Sequence, residues 1–256
     1  MRNSWTALLL LPLLVTGQES FDRLTHFSAP SPLAKDAVTT DWPRFLGPSD
    51  DASTTEKPLL KDFTSGGPKL LWRVETGEGY TSPAIAGGRL VIFHALEGRE
   101  TVECLHPESG RRFWSFDYPI SYQDRYGFGN GPRGSPVIAE GVVVVLGVTS
   151  MLHALDLETG RELWRRDLRK DYNVPQDFFG HGSSPLITLG KVIVQVGGKE
   201  EPFDSFEDKR ERARKLASKG VSVAAFDLKT GSVVWKVEDE WGASYASPTL
   251  AEIHGK

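Results

Sequence analysis

An internal repeat constrains the fold of this chain more than any other feature of its sequence. Three segments, residues 102–114, 152–164 and 223–235, share one pattern. Each begins with an apolar stretch, continues through Asp and two further residues to Thr-Gly or Ser-Gly, and ends with Trp after three more residues. The first segment has His106 in place of the Asp. Such self-similarity at a spacing of tens of residues indicates an array of similar supersecondary units.

A series of Ser-Pro pairs marks where each unit starts. The pairs stand at residues 82–83, 135–136, 184–185 and 247–248. Proline is tolerated at the first residue of a strand, so each pair predicts the start of a strand. Once a charged insertion at residues 199–219 is set aside, the units repeat about every 40–50 residues, as four-stranded propeller blades do. The predicted fold class is all-β, a β-propeller of four-stranded blades.

The Asp-x-x-Thr-Gly part of each unit predicts a tight hairpin, because Asp accepts bonds from the turn backbone and Gly adopts the positive φ that the turn requires. The following outer strand would place its Trp against the turn of a neighbouring blade, where burial of the large ring fastens two sheets together. The residues predicted to have this structural role are Gly110, Gly160 and Gly231, with Trp72, Trp114, Trp164 and Trp235.

The segment Ala-Leu-Asp-Leu-Glu-Thr-Gly-Arg-Glu-Leu-Trp at residues 154–164 resembles the tryptophan-docking repeat of pyrroloquinoline-quinone (PQQ) propellers. That family includes quinoprotein dehydrogenases and the propeller lipoprotein that assists outer-membrane barrel assembly. The resemblance covers residues 42–256 and implies a ring of seven or eight blades. We therefore expect three blades and two partial ones, as part of a longer ring. The alternative is a natural half-ring, whose open sheet edges would favour self-association.

The N-terminal region predicts export. Residues 1–17 have a positive start at Arg2, an apolar run and small residues before a cleavage point, which is typical of a signal peptide. The run is too short to span a bilayer, so no membrane span is predicted in the mature chain. Residues 18–40 are interpreted as a linker and residues 41–256 as the partial propeller domain, in a periplasmic or secreted protein.

Charge and motifs exclude several classes of function. The net charge of −4 argues against a nucleic-acid partner, which requires a basic face. The single cysteine, Cys104, excludes an intramolecular disulfide and a multi-cysteine metal site. The sequence contains no recognisable hydrolase, zinc-protease, nucleotide or calcium motif. No catalytic residue and no metal ligand are predicted.

The connections that lead from an outer strand to the next Ser-Pro pair are the candidate binding region. They comprise residues 76–81, 119–134, 169–183 and 239–246 and are rich in aromatic residues, Gly, Arg and Asn. Loops of this kind on a rigid scaffold suit a planar ligand or an extended chain. The alternative is that their aromatic residues only pack the loops onto the blades. The residues predicted to ring the channel mouth are Tyr80, Arg133, His181, Tyr245, Tyr126 and Asn130.

These observations favour a non-enzymatic propeller that acts as a binding or assembly scaffold for a protein or carbohydrate partner. The resemblance to quinoprotein dehydrogenases implies a metal beside the quinone, a carboxylate base and commonly a vicinal cysteine pair. None of these maps onto a matched position of this sequence, so no cofactor is predicted, and PQQ stays an alternative that no specific residue supports. The alternative is the N-terminal part of a PQQ-dependent dehydrogenase-like enzyme. The insertion at residues 199–219 is predicted to form a short surface helix, with Ser205 and Asp208 as a capping box.

Overall fold

The computed structural model describes residues 21–64, 66–176, 178–203, 208–251 and 253. The predicted signal peptide at residues 1–17 lies outside these ranges. Neither of the two helices in the described part of the chain has the length and apolar character that crossing a bilayer requires.

The described chain begins with a small two-stranded sheet. Strand β1 (Leu24–His26) pairs antiparallel with β2 (Trp72–Val74). β1 lies within residues 18–40, where the sequence predicts a linker, so this part of the segment differs from the prediction. Three residues are too few to show a periodic pattern, and β1 is defined by its pairing with β2, which lies far along the chain.

The repeat region forms three four-stranded antiparallel sheets, each built from consecutive strands. The first blade consists of β3 (Ala84–Ala86), β4 (Arg89–Leu96), β5 (Arg99–Leu105) and β6 (Arg112–Pro119). The second consists of β7 (Val137–Ala139), β8 (Val142–Leu146), β9 (Met151–Asp156) and β10 (Glu162–Asp167), which is followed by helix α1 (Leu168–Tyr172). The third consists of β11 (Leu186–Thr188), β12 (Lys191–Gln195), β13 (Gly220–Asp227) and β14 (Val233–Asp239), with helix α2 (Lys209–Leu216) between β12 and β13. The chain is a partial propeller, as the repeat predicts.

Neighbouring blades share apolar cores. One core joins the first and second blades and includes Phe93 and Leu155, while the other joins the second and third blades and includes Leu152 and Phe226. Every residue of β8 is buried. A strand covered on both faces reads as a continuous apolar run instead of an alternating pattern, which explains the sequence Val-Val-Val-Val-Leu at this position.

The hairpin turns have the predicted construction. Asp156 Oδ1 accepts bonds from the backbone nitrogen and the hydroxyl of Thr159 at 2.9 and 2.7 Å, and Asp227 holds Thr230 in the same way. In the first unit His106 Nδ1 takes the place of the carboxylate and accepts from two backbone nitrogens, both at 3.3 Å. The imidazole therefore serves as an acceptor of the same type, which explains why the turn tolerates this exchange.

Three of the four predicted tryptophans dock on the turn of the following blade. The indole nitrogen of Trp72 donates to Pro107 O, that of Trp114 to Leu157 O and that of Trp164 to Leu228 O, each at 2.9 Å. The hairpin glycines Gly110, Gly160 and Gly231 have φ between +67° and +71°, and a Cβ on any of them would lie 2.5–2.7 Å from the docked ring. No described hairpin glycine lies against Trp235, which is 37% exposed on β14.

The insertion at residues 199–219 contains the predicted helix and, within the described residues, one of its two predicted capping residues. Asp208 is the N-cap of α2, and its carboxylate accepts bonds from the backbone nitrogens of Arg210 and Glu211. The other predicted capping residue, Ser205, lies outside the described residues.

Candidate functional site

The candidate site lies at one end of the blades, called the loop face here. It comprises the four connections at residues 76–81, 119–134, 169–183 and 239–246, the β8–β9 turn and the insertion at 199–219. Successive strands in each sheet run in opposite directions, so the links out of every outer strand and the links between the two central strands emerge at the same end.

The longest of these connections, residues 119–134, is organised by Asp124. Its Oδ1 accepts bonds from the backbone nitrogens of Tyr126 and Phe128 at 2.8 and 3.2 Å, and its Oδ2 accepts from the Tyr122 hydroxyl at 3.1 Å. Burial raises the pKa of Asp124, but these donors outweigh that effect and hold the pKa below its usual value. Asn130, a predicted mouth residue, accepts from Asp124 N at 2.8 Å and therefore helps to shape the loop.

Arg133 ties the end of the same loop to its middle. Its Nη1 donates to Gly131 O at 2.9 Å, and its Nη2 donates to Gly129 O at 2.8 Å and to the Asp124 carboxylate at 3.3 Å. The guanidinium also lies 4.9 Å from the ring centre of Tyr80, within the range of a cation–π contact. Arg133 thus orders the loop and supports one wall of the mouth.

A cavity of about 330 Å³ opens between these loops. Its lining residues are Tyr80, Phe128, Arg133, Phe179, Gly182 and Tyr245. Three of the predicted mouth residues, Tyr80, Arg133 and Tyr245, are therefore brought together, each from the position two residues before a Ser-Pro pair. We call this the aromatic cavity. That it binds a ligand stays a prediction.

Aromatic side chains form a continuous cluster around the aromatic cavity. Tyr126, another predicted mouth residue, stacks on Phe178 with ring centres 5.7 Å apart, and Phe179 lies 5.6 Å from Tyr245 and 6.0 Å from Phe128. Phe179 is partly buried, whereas the other four rings just named and that of Tyr80 are 44–63% exposed. The rings pack on one another and still present apolar surface to solvent, so loop packing does not account for all of them. The aromatic cluster is defined as Tyr80, Tyr126, Phe128, Phe178, Phe179 and Tyr245.

His181 lies deeper than its sequence position suggests. It is buried, with Nδ1 3.1 Å from the Ser150 hydroxyl and Nε2 3.3 Å from the Ser183 hydroxyl. Burial lowers its pKa to about 4, so the ring is neutral near pH 7. His181 is absent from the lining of the aromatic cavity and lines a second cavity beside it.

This second cavity, of about 460 Å³, was not anticipated from the sequence. Its cationic lining residues are Arg125, Arg169, Lys199 and Arg212, and we call it the cationic cavity. The residues come from a connection, from α1 and from the insertion. Counting strands places the insertion between the two central strands of its blade and hence on the loop face. That count was the signal available in the sequence.

The residues at the aromatic cavity do not fit PQQ with its metal. A quinone that carries carboxylates needs available cationic donors, whereas both Nη atoms of Arg133 already donate to the loop. The described part of the chain also contains no group of three or more His, Cys, Asp or Glu side chains suited to a metal ion. Whether the protein takes a cofactor stays a prediction.

Comparison with known proteins agrees with the architecture. A family model described as outer membrane protein assembly factor BamB matches residues 98–256. The chain belongs to this family. Within the BamB family, the matched region covers β5 and β6 of the first blade and all of the second and third blades, including the docked turns at Gly110, Gly160 and Gly231.

This BamB-family chain is also similar to quinoprotein enzymes. It is 26% identical over 157 residues to a 1-butanol dehydrogenase (cytochrome c) of Thauera butanivorans, covering 59% of this chain and 22% of that protein. It is 31% identical over 120 residues to quinohemoprotein alcohol dehydrogenase ADH-IIG of Pseudomonas putida, covering 45% and 16%. A crystal structure of BamB from Moraxella catarrhalis matches with 16% identity and a TM-score of 0.32, covering 60% of this chain and 47% of that one. The chain spans about a fifth of the length of these curated relatives.

Proposed function

We propose that the protein is an exported, non-enzymatic propeller that acts as a binding or assembly scaffold and holds a protein or carbohydrate partner on its loop face. The observation that carries this proposal is the aromatic cluster. Five of its six rings are exposed, and they stand on loops fixed by internal hydrogen bonds. Exposed apolar patches on rigid supports mark interaction sites.

The polar groups around the cluster favour binding over catalysis. Arg133 and Asp124 are engaged with each other and with the loop backbone. His181, the one histidine among the described lining residues of the two cavities, is buried between two serine hydroxyls. Of these three groups only Arg133 lines the aromatic cavity, and both of its Nη atoms already donate to its own loop.

Export is supported by the N-terminal sequence. Residues 1–17 have the charge, apolar run and small residues of a signal peptide. The family model carries the description of an outer-membrane assembly factor, which agrees with a role outside the cytoplasm. Expression of the full chain in a bacterium, followed by fractionation and mass measurement of the mature N-terminus, tests this part of the proposal.

The binding proposal is tested with arrays of synthetic peptides and of oligosaccharides. We expect the protein to bind a subset of one array, and the double variant Tyr126→Ser/Phe178→Ser to lose that binding while keeping its thermal unfolding midpoint. The matched control is Phe63→Ser, because Phe63 is equally exposed but lies outside the aromatic cluster. Equal binding by the wild type and the double variant would contradict the assignment of the loop face.

A second candidate function is that of the N-terminal part of a PQQ-dependent dehydrogenase-like enzyme. It is favoured by one observation, namely that the curated relatives are alcohol dehydrogenases. The protein is incubated with PQQ and CaCl₂, and reduction of a redox dye is followed after 1-butanol is added. Dye reduction that requires both PQQ and the alcohol would replace the scaffold proposal with this one.

A further inference from the structure

The cationic cavity gathers positive charge from three separate parts of the chain. Arg125 lies in the connection at residues 119–134, Arg169 in α1 and Arg212 in α2. Within the described residues none of the three forms an ion pair. Arg169 reaches only the Gln176 amide oxygen at 3.5 Å, and Arg212 lies over the Phe203 ring at 5.3 Å.

The remaining charges at this cavity do not balance the arginines. Lys199 is buried, and its Nζ donates to the backbone oxygens of Ser218 and Glu240 at 3.2 and 2.6 Å. Glu240 is the one acidic residue among the described lining residues, against four cationic ones. Like charges repel at close range, and a concave site lined by one sign of charge concentrates ligands of the opposite sign. The excess positive charge on a chain of net charge −4 points to an anionic occupant.

The cationic and aromatic cavities adjoin each other. Gly182 and Tyr245 line both, and Phe178 lines the cationic cavity while stacking on Tyr126. A single ligand can therefore contact both sites. Because their volumes are about 460 and 330 Å³, each the size of a small-molecule site, a ligand that occupies both is an extended chain.

The chemistry of the aromatic cavity favours an apolar side chain over a sugar. The Tyr80 hydroxyl already donates to Phe128 O at 2.7 Å, and the Tyr245 hydroxyl accepts from Phe179 N at 3.0 Å. Arg133 is bonded to its own loop. A sugar that lost water here would find these polar groups already engaged with the loops, at a cost in free energy that an apolar side chain does not incur.

We propose that the loop face recognises an extended protein segment in which carboxylate side chains stand next to large apolar ones. The carboxylates would meet the arginines of the cationic cavity, and an apolar side chain would enter the aromatic cavity. This inference rests on the proposed binding function and names the partner class for the same face.

The test uses fluorescein-labelled octapeptides that alternate Glu with Phe, Gln with Phe, Lys with Phe, or Glu with Ser. Fluorescence anisotropy is measured with the full chain at 50 and 300 mM NaCl. We expect the Glu–Phe peptide to bind most tightly and to weaken at high salt, because surface ion pairs are screened. The other three peptides should bind more weakly, since each lacks one of the two features.

Variants of the three arginines test whether the charge dependence of peptide binding arises in the cationic cavity. We expect Arg125→Gln/Arg169→Gln/Arg212→Gln to weaken binding of the Glu–Phe peptide about tenfold, as three exposed ion pairs would. Arg125→Glu/Arg169→Glu/Arg212→Glu should instead prefer the Lys–Phe peptide. The matched control is Arg161→Gln, because Arg161 is exposed in the β9–β10 hairpin at the opposite end of the blades. Circular dichroism and the unfolding midpoint confirm that each variant is folded.

Several results would overturn the inference. If the Gln–Phe peptide binds as tightly as the Glu–Phe peptide and salt has no effect, the cationic cavity has no part in recognition, although the aromatic cluster and the proposed function stand. If isophthalate or an oligogalacturonate displaces the peptide with equal or greater affinity, the partner is a small anion or an acidic sugar. If no peptide and no glycan binds, the proposed function itself fails.

Discussion

Substitution of a single hairpin glycine tests how the blades are fastened. Gly160→Ala would place a Cβ 2.5 Å from Cδ2 of Trp114, at a residue whose φ is +71°. Gly141→Ala is the matched control, because Gly141 has φ +73° but no atom within 4 Å of the added Cβ. The two substitutions share the backbone strain and differ only in the effect on the docked ring.

The expected difference follows from the contacts of Trp114. A left-handed alanine costs about 1 kcal/mol at either position. At Gly160 the displaced indole would also expose about half of its roughly 200 Å² of buried surface, which is about 2.5 kcal/mol at about 25 cal/mol per Å². Loss of its bond to Leu157 O adds about 1 kcal/mol. Gly160→Ala should therefore destabilise the protein by about 4.5 kcal/mol and Gly141→Ala by about 1 kcal/mol.

Urea unfolding followed by circular dichroism measures both values. A double-mutant cycle adds the background Trp114→Ala, in which the two alanine substitutions should cost nearly the same because the ring is gone. Equal destabilisation by the two substitutions in the wild-type background would refute the docking argument. So would a difference that persists after Trp114 is removed.

Three further predictions concern single side chains. Burial raises the pKa of Glu103, but hydrogen bonds from His94 and two arginines outweigh burial and lower this pKa from 4.5 to about 2. Glu103→Gln should therefore reduce the free energy of unfolding by up to about 3 kcal/mol at pH 7. Urea titrations should show this difference in stability disappearing as pH falls from about 4.5 towards 2. Arg133→Met removes the bonds to Gly129 O and Gly131 O, so amide exchange at Tyr126 and Phe128 should accelerate about tenfold or more; unchanged exchange would contradict the ordering role. Burial raises the pKa of Cys104 to about 12, so Ellman's reagent at pH 8 should modify it only as fast as the protein unfolds.

Local spacing was sufficient to predict the blades. The hairpin at Asp156 and the docking of Trp114 and Trp164 depend on short sequence patterns whose geometry is the same in every repeat. Strand β1 depends instead on contacts from distant parts of the chain. Arg23, beside β1, forms an ion pair with the Glu103 carboxylate at 2.6 Å, and such long-range pairing leaves no periodic signal in a three-residue strand.

The candidate site was predictable in part for the same reason. The register of the Ser-Pro pairs places Tyr80, Arg133 and Tyr245 around one cavity. The register does not reveal side-chain direction within a loop, and His181 turns into the interior, where two serines bind it. The arginines of the cationic cavity were missed because their meeting depends on how α1 and the insertion fold back over the loop face.

Hydrogen–deuterium exchange with a bound partner tests the central claim of this account, that the loop face is the binding surface. The exchange of the free protein is compared with that of the protein saturated with its tightest array ligand. We predict slower exchange in the connections at residues 119–134, 169–183 and 239–246, with no change in the hairpins at residues 156–160 and 227–231. Protection confined to those hairpins, or to the exposed face of β14 around Trp235, would contradict it.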